Sequence, residues 1–391
     1  MTVTDDQALA KGFANLILGH GEDISARLDM LRTQTFPPNA QKTLRQFTLA
    51  EAAQFIGVST SYIRRAHNEG KVKEPTVTSG GRRLYTAEQI DELRAYLNRV
   101  PRRKNGERLQ AISVVNFKGG SGKTTTAAHL AQYMALCGYR VLALDLDPQA
   151  SLTALYGIQP ELDEKPSLYE ALRYDNERAS IRSIIQPTNF PNLDVVPANL
   201  ELQEYEYETP LAMRDGEGNE GKLFFTRIAD ALGEVDDDYD IVVMDCPPQL
   251  GYLTLTALTA ATSVLITVHP QMLDIMSMSQ FLLMLGDILK SIESAGANVD
   301  LDWFRYLVTR YEATDLPQQQ MVGFMQSMFA GQMMINPMVK STAVSDAGLT
   351  KQTLYEVERS QFAATTYKRA RESMDAVNQE VIDLVNKAWG R

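Results

Sequence analysis

The chain has 391 residues, of which 44% are hydrophobic and 22% charged, and its formal net charge is −11. This length predicts two or three domains, and this composition is typical of a globular protein with a real core. The two cysteines, Cys137 and Cys246, lie in unrelated contexts, which excludes a disulfide framework and a cysteine-bound metal cluster. Because the sequence has no apolar run of about 18 residues and no signal-like N-terminus, we expect a cytoplasmic protein without a membrane segment.

The first predicted segment, residues 1–40, is mostly one helix. Apolar residues recur at helical spacing within residues 5–34, namely Leu9, Phe13, Leu16 and Ile17. A proline pair in "TFPPNAQ" (35–41) then ends the pattern.

The second predicted segment, residues 41–100, carries a helix-turn-helix pattern in "FTLAEAAQFIGVSTSYIRRAHNEGKV" (47–72). Thr48 and Glu51 have the spacing of a capping box, and Gly57 lies in the turn between the helices. Early residues of a recognition helix meet base edges in the major groove, whereas arginines meet guanines or phosphates. The predicted DNA-contacting residues of the second helix are Ser61, Tyr62, Arg64 and Arg65.

A basic wing follows in "VTSGGRRLYTAEQIDELRAYL" (77–97), with Arg82 and Arg83 after a Gly-Gly turn. The combination resembles a MerR-like winged helix-turn-helix, which implies that the wing arginines follow phosphates or the minor groove. Residues 1–108 carry 17 Lys and Arg against 12 Asp and Glu, although the whole chain is acidic. This local positive charge favours DNA binding over the alternative, a helical hairpin used for dimerisation.

Residues 101–110 are predicted to be a polar, basic linker, and residues 111–391 an α/β domain. Short apolar runs such as "AISVVNF", "RVLALDL" and "DIVVMDC" alternate with helical patterns. Such runs are typical of strands that are buried on both faces. The predicted fold is therefore a mostly parallel, doubly wound P-loop NTPase sheet flanked by helices.

The loop "NFKGGSGKTTT" (116–126) departs from the usual phosphate-binding pattern G-x-x-x-x-G-K-[ST], because Phe117 stands where the first glycine belongs. Lys118 adds a second positive charge. A strand before this loop and a helix after it provide the context that a phosphate cradle needs. The predicted nucleotide-binding residues are Lys118, Gly119, Gly120, Ser121, Gly122, Lys123, Thr124 and Thr125. The alternative, an ordinary glycine-rich turn, does not account for the acidic residues that follow.

Two later strands end in carboxylates. "VLALDLDPQ" (141–149) ends in Asp145 and Asp147, and "YDIVVMDCPP" (239–248) ends its apolar run at Asp245. Side chains at the carboxyl ends of parallel strands converge where ligands bind. We therefore expect Thr124 and Asp245 to hold Mg²⁺, Asp245 directly or through water.

These motifs together, K-G-G-x-G-K-T-T, D-x-D-P-Q and D-C-P-P-x-h-G, resemble the ParA/MinD family of deviant Walker-A ATPases over about residues 110–390. The resemblance implies that Lys118 reaches across a homodimer to the partner's nucleotide, where it acts as an arginine finger does. It also implies hydrolysis of ATP to ADP with catalytic residues Lys118, Lys123 and Asp147. Asp147 orients or deprotonates water, and Asp145 supports it.

The resemblance further implies slow ATP turnover that a ParB-like centromere-binding protein stimulates, together with ATP-dependent binding to non-specific nucleoid DNA. Larger plasmid members, among them the RepA proteins of repABC replicons, also repress their own operon by binding operator DNA. In these relatives a helix before the DNA reader mediates dimerisation; the alternative here is a helix packed on its own chain. The candidates for non-specific DNA binding are Lys340, Lys368, Arg369 and Arg371, and a solvated helix face is the alternative.

Two other functions compete with this one. A membrane-bound role, as in the MinD branch, needs a basic amphipathic tail, and "VIDLVNKAWGR" (381–391) has little basic character. A transcriptional repressor that uses the nucleotide only as a switch, with little hydrolysis, remains the alternative, although the intact Lys118 and Asp147 argue against it.

Overall fold

The computed structural model describes residues 12–24, 26–27, 42–70, 72–159, 165–215, 223–296 and 299–391. The chain divides into two compact units, Met1–Thr43 and Leu44–Arg391. In the first unit residues 12–24 are helical, in agreement with part of the helix predicted over 5–34. Most of the remainder of that prediction lies outside the described residues.

The second unit begins with a winged helix-turn-helix. A short antiparallel sheet in the order β1-β3-β2 supports its helices. The elements are β1 (Phe47–Thr48), α1 (Leu49–Ile56), α2 (Thr60–Asn68), β2 (Thr76–Val77), β3 (Arg83–Tyr85) and α3 (Ala87–Tyr96). The predicted capping box is present, because the Thr48 side chain accepts from the Glu51 backbone N–H and Glu51 caps the Thr48 N–H. Gly57 ends α1 with φ 72°, a left-handed conformation that favours glycine.

The rest of the second unit is built around a seven-stranded sheet with the order β10-β9-β4-β8-β5-β7-β6. Only β6 is antiparallel to its neighbour. The strands are β4 (Gln110–Val115), β5 (Val141–Asp145), β6 (Gln186–Pro187), β7 (Leu193–Val196), β8 (Ile241–Asp245), β9 (Ser263–Val268) and β10 (Trp303–Val308). Every residue of β4, β5, β8 and β9 is buried, which is why these strands appear in the sequence as continuous apolar runs.

Helices cover both faces of this sheet, and the predicted fold class is confirmed. They are α4 (Lys123–Leu136), α5 (Ser151–Leu155), α6 (Tyr169–Leu172), α7 (Glu204–Asp215), α8 (Arg227–Gly233), α9 (Tyr252–Ala260), α10 (Met272–Ser294), α11 (Leu316–Phe329), α12 (Thr342–Leu349) and α13 (Ala364–Ala388).

Helix α10 is apolar on more than one side. Among the described residues it is the one helix whose length and composition would suffice to cross a membrane. Its buried residues include Ile275, Met278, Phe281 and Leu285, a helical spacing that is typical of a face packed on a core. Length and composition of a single helix are weak evidence for a membrane span.

A largely buried polar cluster joins the winged helix-turn-helix to helix α13. In this cluster Arg371 donates to Asp375 at 2.9 Å and to Glu51 at 3.5 Å. Arg45 donates to Glu51 at 2.5 Å and to the Tyr355 carbonyl at 3.0 Å. Burial raises the pKa of Glu51, but Arg45 and Arg371 outweigh this effect and hold it at about 2. The carboxylate is therefore ionised at neutral pH.

The predicted linker is also fixed to the α/β part. Arg102 donates to the Gly138 carbonyl at 2.9 Å, and the Trp389 indole donates to the Arg108 carbonyl at 2.9 Å. Residues 44–100 and 111–391 thus belong to one compact unit. Their boundaries as separate domains stay a prediction.

Candidate nucleotide site and DNA-reading surface

The glycine-rich loop leads from β4 into α4, as the motif predicted. Gly120 and Gly122 have φ of 74° and 88°, left-handed values that favour glycine. Gly122 is the N-cap of α4 and provides no side-chain cap. The backbone N–H groups of the first turn are therefore available to an anion, and the helix dipole favours negative charge there.

A cavity of about 800 Å³ opens above this loop. Its volume is that of a typical small-molecule or cofactor site. The structure brings most of the predicted nucleotide residues to its wall, together with the predicted carboxylate Asp147: Gly119, Gly120, Gly122, Lys123, Thr124, Thr125 and Asp147. Ser121 lies just beneath, buried, with its hydroxyl 3.1 Å from that of Thr267.

The opposite wall was not predicted from the sequence. Thr309 donates to the Ser121 carbonyl at 2.7 Å, and Arg310 donates to the Gly120 carbonyl at 3.0 Å. Residues 338–342 and Val344 complete this side. The available signal was the strand pattern "RYLVTRY", since Thr309 and Arg310 directly follow β10 at the ligand-binding edge of the sheet.

Lys123 is buried at the base of the cavity, with its ammonium 3.3 Å from the Lys118 carbonyl. Burial lowers the pKa of Lys123, whereas the charges of Asp245 and Asp147 act in the opposite direction. A buried cation between carboxylates and a helix N-terminus is well placed to bind phosphate oxygens.

Asp145 and Asp245 are paired neighbours at the ends of β5 and β8, but their environments differ. The Asp145 carboxylate accepts from the Thr153 N–H at 2.8 Å, the Thr153 hydroxyl at 2.7 Å and the Asp147 N–H at 3.1 Å. Both carboxylate oxygens of Asp245 are buried, and by distance and angle neither has a hydrogen-bond partner among the described residues. Burial and the nearby Asp145 raise the pKa of Asp245 well above its usual range.

These orphaned oxygens fit a divalent cation. A buried carboxylate without donors is costly unless a positive charge compensates it. Magnesium prefers a few protein oxygens together with phosphate oxygens and water. Asp245 and the Thr124 hydroxyl are the residues that would hold Mg²⁺. No group of three or more His, Cys, Asp or Glu side chains that could hold a metal occurs within the described ranges.

Asp147 differs from both of these acids because it is only partly buried and lines the cavity. Its Oδ1 accepts from the Gln149 N–H at 3.0 Å, which fixes the carboxylate against the loop. Of Asp145, Asp147 and Asp245, it is therefore the carboxylate placed to receive a proton from water in the cavity.

The main chain and the side chain of Lys118 have different surroundings. The Lys118 carbonyl lies 3.3 Å from the Lys123 ammonium, whereas the Lys118 ammonium forms an ion pair with Asp274 of its own chain. Lys118 is not among the residues that line the cavity, so the structure does not bring its ammonium to the nucleotide site of its own subunit.

The predicted DNA-reading residues lie on exposed surface of the winged helix-turn-helix. Four of them form the outer face of α2 and a fifth lies in the wing: Ser61, Tyr62, Arg64, Arg65 and Arg82. Arg83 is half-buried at the start of β3. The His67 ring lies 3.2 Å from the Tyr85 hydroxyl, which ties the recognition helix to the wing.

Of the four basic residues predicted to bind DNA non-specifically, Arg371 was a wrong prediction. Its side chain is 8% exposed and is held by Asp375 and Glu51, so it cannot reach DNA. Lys340 and Arg369 are exposed on the rim of the nucleotide cavity. Lys368 is exposed on α13, 3.7 Å from Glu372.

Two family models match the chain. Residues 109–297 match the family described as "AAA domain", and residues 47–98 match the "MerR HTH family regulatory protein" family.

Two curated relatives illustrate the range of similarity. "Putative replication protein A" of Sinorhizobium fredii is 66% identical over 388 residues, covering 97% of this chain and 95% of that protein. "Chromosome-partitioning ATPase Soj" of Treponema pallidum is 31% identical over 238 residues, covering 61% of this chain and 86% of that protein.

Two solved structures are also similar. One, titled "Partition Protein", has a TM-score of 0.65 and 20% identity and covers 96% of this chain and 99% of its own. At that identity it shows the fold alone. The other is cobyrinic acid a,c-diamide synthase of Mycobacterium smegmatis with a bound ATP analogue and magnesium. It has a TM-score of 0.51 and 28% identity and covers 62% of this chain and 94% of its own.

Proposed function

The chain belongs to the ParA/MinD family of deviant Walker-A ATPases, in its larger form with an N-terminal winged helix-turn-helix, and from this premise we propose that it segregates a plasmid or secondary replicon. ATP binding drives formation of a homodimer that binds nucleoid DNA without sequence preference. A ParB-like centromere-binding protein stimulates slow hydrolysis, which releases the dimer and moves replicon copies apart. The observation that carries the proposal is the position of Lys118, outside the nucleotide cavity of its own subunit.

The geometry of the site supports the proposed hydrolytic roles. The glycine-rich loop and Lys123 would hold the phosphates, and Thr124 and Asp245 would be the protein ligands for Mg²⁺. When bound, Mg²⁺ neutralises charge on the β- and γ-phosphates. Asp147 orients the attacking water and accepts its proton. Asp145 holds the Asp147 main chain and the Thr153 side chain in place.

Lys118 completes the site of the other subunit. A lysine supplied in trans stabilises the charge that develops on the transferring phosphoryl group. The same contact makes stable pairing of two subunits depend on ATP.

We expect Lys118→Gln to bind nucleotide as the wild type does but to lose the ATP-dependent dimer. The variant keeps every residue of its own phosphate cradle and removes only the charge that would reach the partner. Sedimentation with a non-hydrolysable ATP analogue measures the dimer, and fluorescence titration measures nucleotide affinity. Dimerisation equal to that of the wild type would refute the role in trans.

The winged helix-turn-helix is proposed to bind operator DNA, so that the protein represses its own operon. The relative named putative replication protein A covers the same length of chain, and we place this protein among such partition proteins of repABC replicons. Its proposed location is the cytoplasm, associated with the nucleoid.

Arg64→Ala combined with Arg65→Ala is expected to abolish the operator footprint and to spare ATP-dependent binding to random DNA. Both arginines are exposed on α2, so their loss removes contacts without disturbing the fold. Footprinting on the upstream region and a filter assay with random DNA measure the two activities. Lys290→Ala, an exposed change on α10, is the control. Loss of both DNA activities together would contradict the separation of the two surfaces.

A further inference from the structure

Two residues of its own subunit hold Lys118: one contacts its main chain and the other contacts its side chain. Asn116 Oδ1 accepts the Lys118 N–H at 2.7 Å, and the Asn116 amide donates to the Thr267 carbonyl at the end of β9. The main chain at Lys118 is thereby anchored to the sheet. The side chain, 46% exposed, pairs with Asp274.

Asp274 is a fixed partner rather than a mobile surface acid. It lies in the first turn of α10, and its side chain is 9% exposed. One of its oxygens contacts the Lys118 ammonium and the other lies 3.2 Å from His269 Nδ1. If the lysine departs, the His269 ring still lies 3.2 Å from one oxygen of the carboxylate. Burial lowers the pKa of His269, so this contact does not replace the positive charge, and opening the pair has a cost that a phosphate on the partner must offset.

We propose that Asp274 is a positioning residue that restrains Lys118 within its own subunit, so that two subunits pair only when a triphosphate on the partner outcompetes Asp274 for the ammonium. This inference rests on the proposed role of Lys118 in trans. The anchored main chain leaves the flexible side chain as the part that exchanges one anion for another.

The exchange explains how pairing can distinguish ATP from ADP. The γ-phosphoryl group of ATP carries negative charge that can replace Asp274 as the partner of the Lys118 ammonium, whereas ADP lacks that group. Breaking the pair with Asp274 costs the same free energy whichever nucleotide the partner holds. Asp274 therefore lowers the affinity of every dimer in which Lys118 leaves it, and the weaker ADP form falls below the protein concentration at which the ATP form still pairs.

The test is a comparison of dimerisation constants for Asp274→Asn and wild type, with a non-hydrolysable ATP analogue and with ADP, by sedimentation equilibrium. Asparagine keeps the shape of the side chain and removes its charge. The Lys118 side chain is 46% exposed, so solvent weakens its pair with Asp274. We therefore expect the affinity of the ATP-analogue dimer to rise only about 3–10-fold. The ADP dimer should tighten by no more than the ATP-analogue dimer, because the restraint that is removed belongs to the free subunit.

Three further variants make the result specific. Asp287→Asn removes an exposed carboxylate from the same helix and should leave dimerisation unchanged. Asp274→Glu keeps the charge and should behave like the wild type. In a Lys118→Gln background, Asp274→Asn should have no effect, because the restrained group is gone.

The inference is overturned if Asp274→Asn dimerises as the wild type does or more weakly. It is also overturned if Asp274→Glu dimerises as tightly as Asp274→Asn, because the effect would then come from an altered start of helix α10 and not from the lost charge. Asp274→Ser replaces the asparagine variant if that protein does not fold, with the same criteria. If Lys118→Gln itself dimerises like the wild type, the proposed role in trans fails first. If Lys118→Gln fails to dimerise while Asp274→Asn matches the wild type, only the restraint is wrong.

Discussion

Replacing Asp147 by alanine is expected to lower ATP turnover by about 10²–10⁴-fold, the range that general acid–base catalysis supplies. Of Asp145, Asp147 and Asp245, Asp147 is the one that lines the nucleotide cavity and is partly exposed. The other carboxylate on the wall, Glu312, is paired with Lys340. Nucleotide affinity should change little, because the phosphates are held by the glycine-rich loop and Lys123. Phosphate release with DNA and the ParB-like partner present measures turnover, and fluorescence titration measures affinity.

Two variants make this result interpretable. Lys123→Ala should lose nucleotide binding itself, so it separates a failure to bind from a failure to hydrolyse. Glu372→Ala removes an exposed carboxylate outside the cavity and should turn over ATP as the wild type does. Wild-type turnover in Asp147→Ala would contradict the hydrolytic role. If the wild type itself shows no turnover above Asp147→Ala, the nucleotide acts only as a switch for a transcriptional repressor.

The elements that surround the phosphate loop could be predicted because each leaves a local pattern. Strands buried on both faces are continuous apolar runs, and a glycine before Lys123 marks the start of α4. The capping boxes at Thr48 and Thr86 mark the starts of α1 and α3 by spacing alone. These signals lie within a few residues of the feature they specify.

What could not be predicted depends on contacts between distant parts of the chain. Asp145 and Asp245 have similar sequence contexts, yet Thr153 satisfies the first while the second has no donor. Nothing local to Asp274 predicts that Lys118, 156 residues earlier, pairs with it. Arg371 follows Lys368 and Arg369 on α13, but it faces the core while they face solvent. A count of basic residues cannot distinguish these orientations.

The burial of Arg371 leads to the second large expected effect, a loss of stability. Arg371→Ala should lower the free energy of unfolding by about 3 kcal/mol, because removing one member of a buried ion pair leaves the other charge uncompensated. The guanidinium also lies 4.2 Å from the centroid of the Tyr355 ring, so packing is lost as well. Glu51 and Asp375 keep Arg45, Gln54 and Tyr355 as partners, which places the effect at the lower end of the range for such pairs.

Urea denaturation of Arg371→Ala and Lys368→Ala, followed by tryptophan fluorescence and circular dichroism, tests this expectation with a matched pair. Lys368 lies one turn earlier on α13, with its side chain 67% exposed and 3.7 Å from Glu372. Its loss should cost less than about 0.5 kcal/mol, as for other surface ion pairs. Because Arg371 joins α13 to Glu51 of α1, its loss should also expose the winged helix-turn-helix to proteases first. The opposite result would be an Arg371→Ala protein that is as stable as Lys368→Ala but binds random DNA poorly. That result would show that Arg371 contacts DNA, a role that the burial of its side chain excludes.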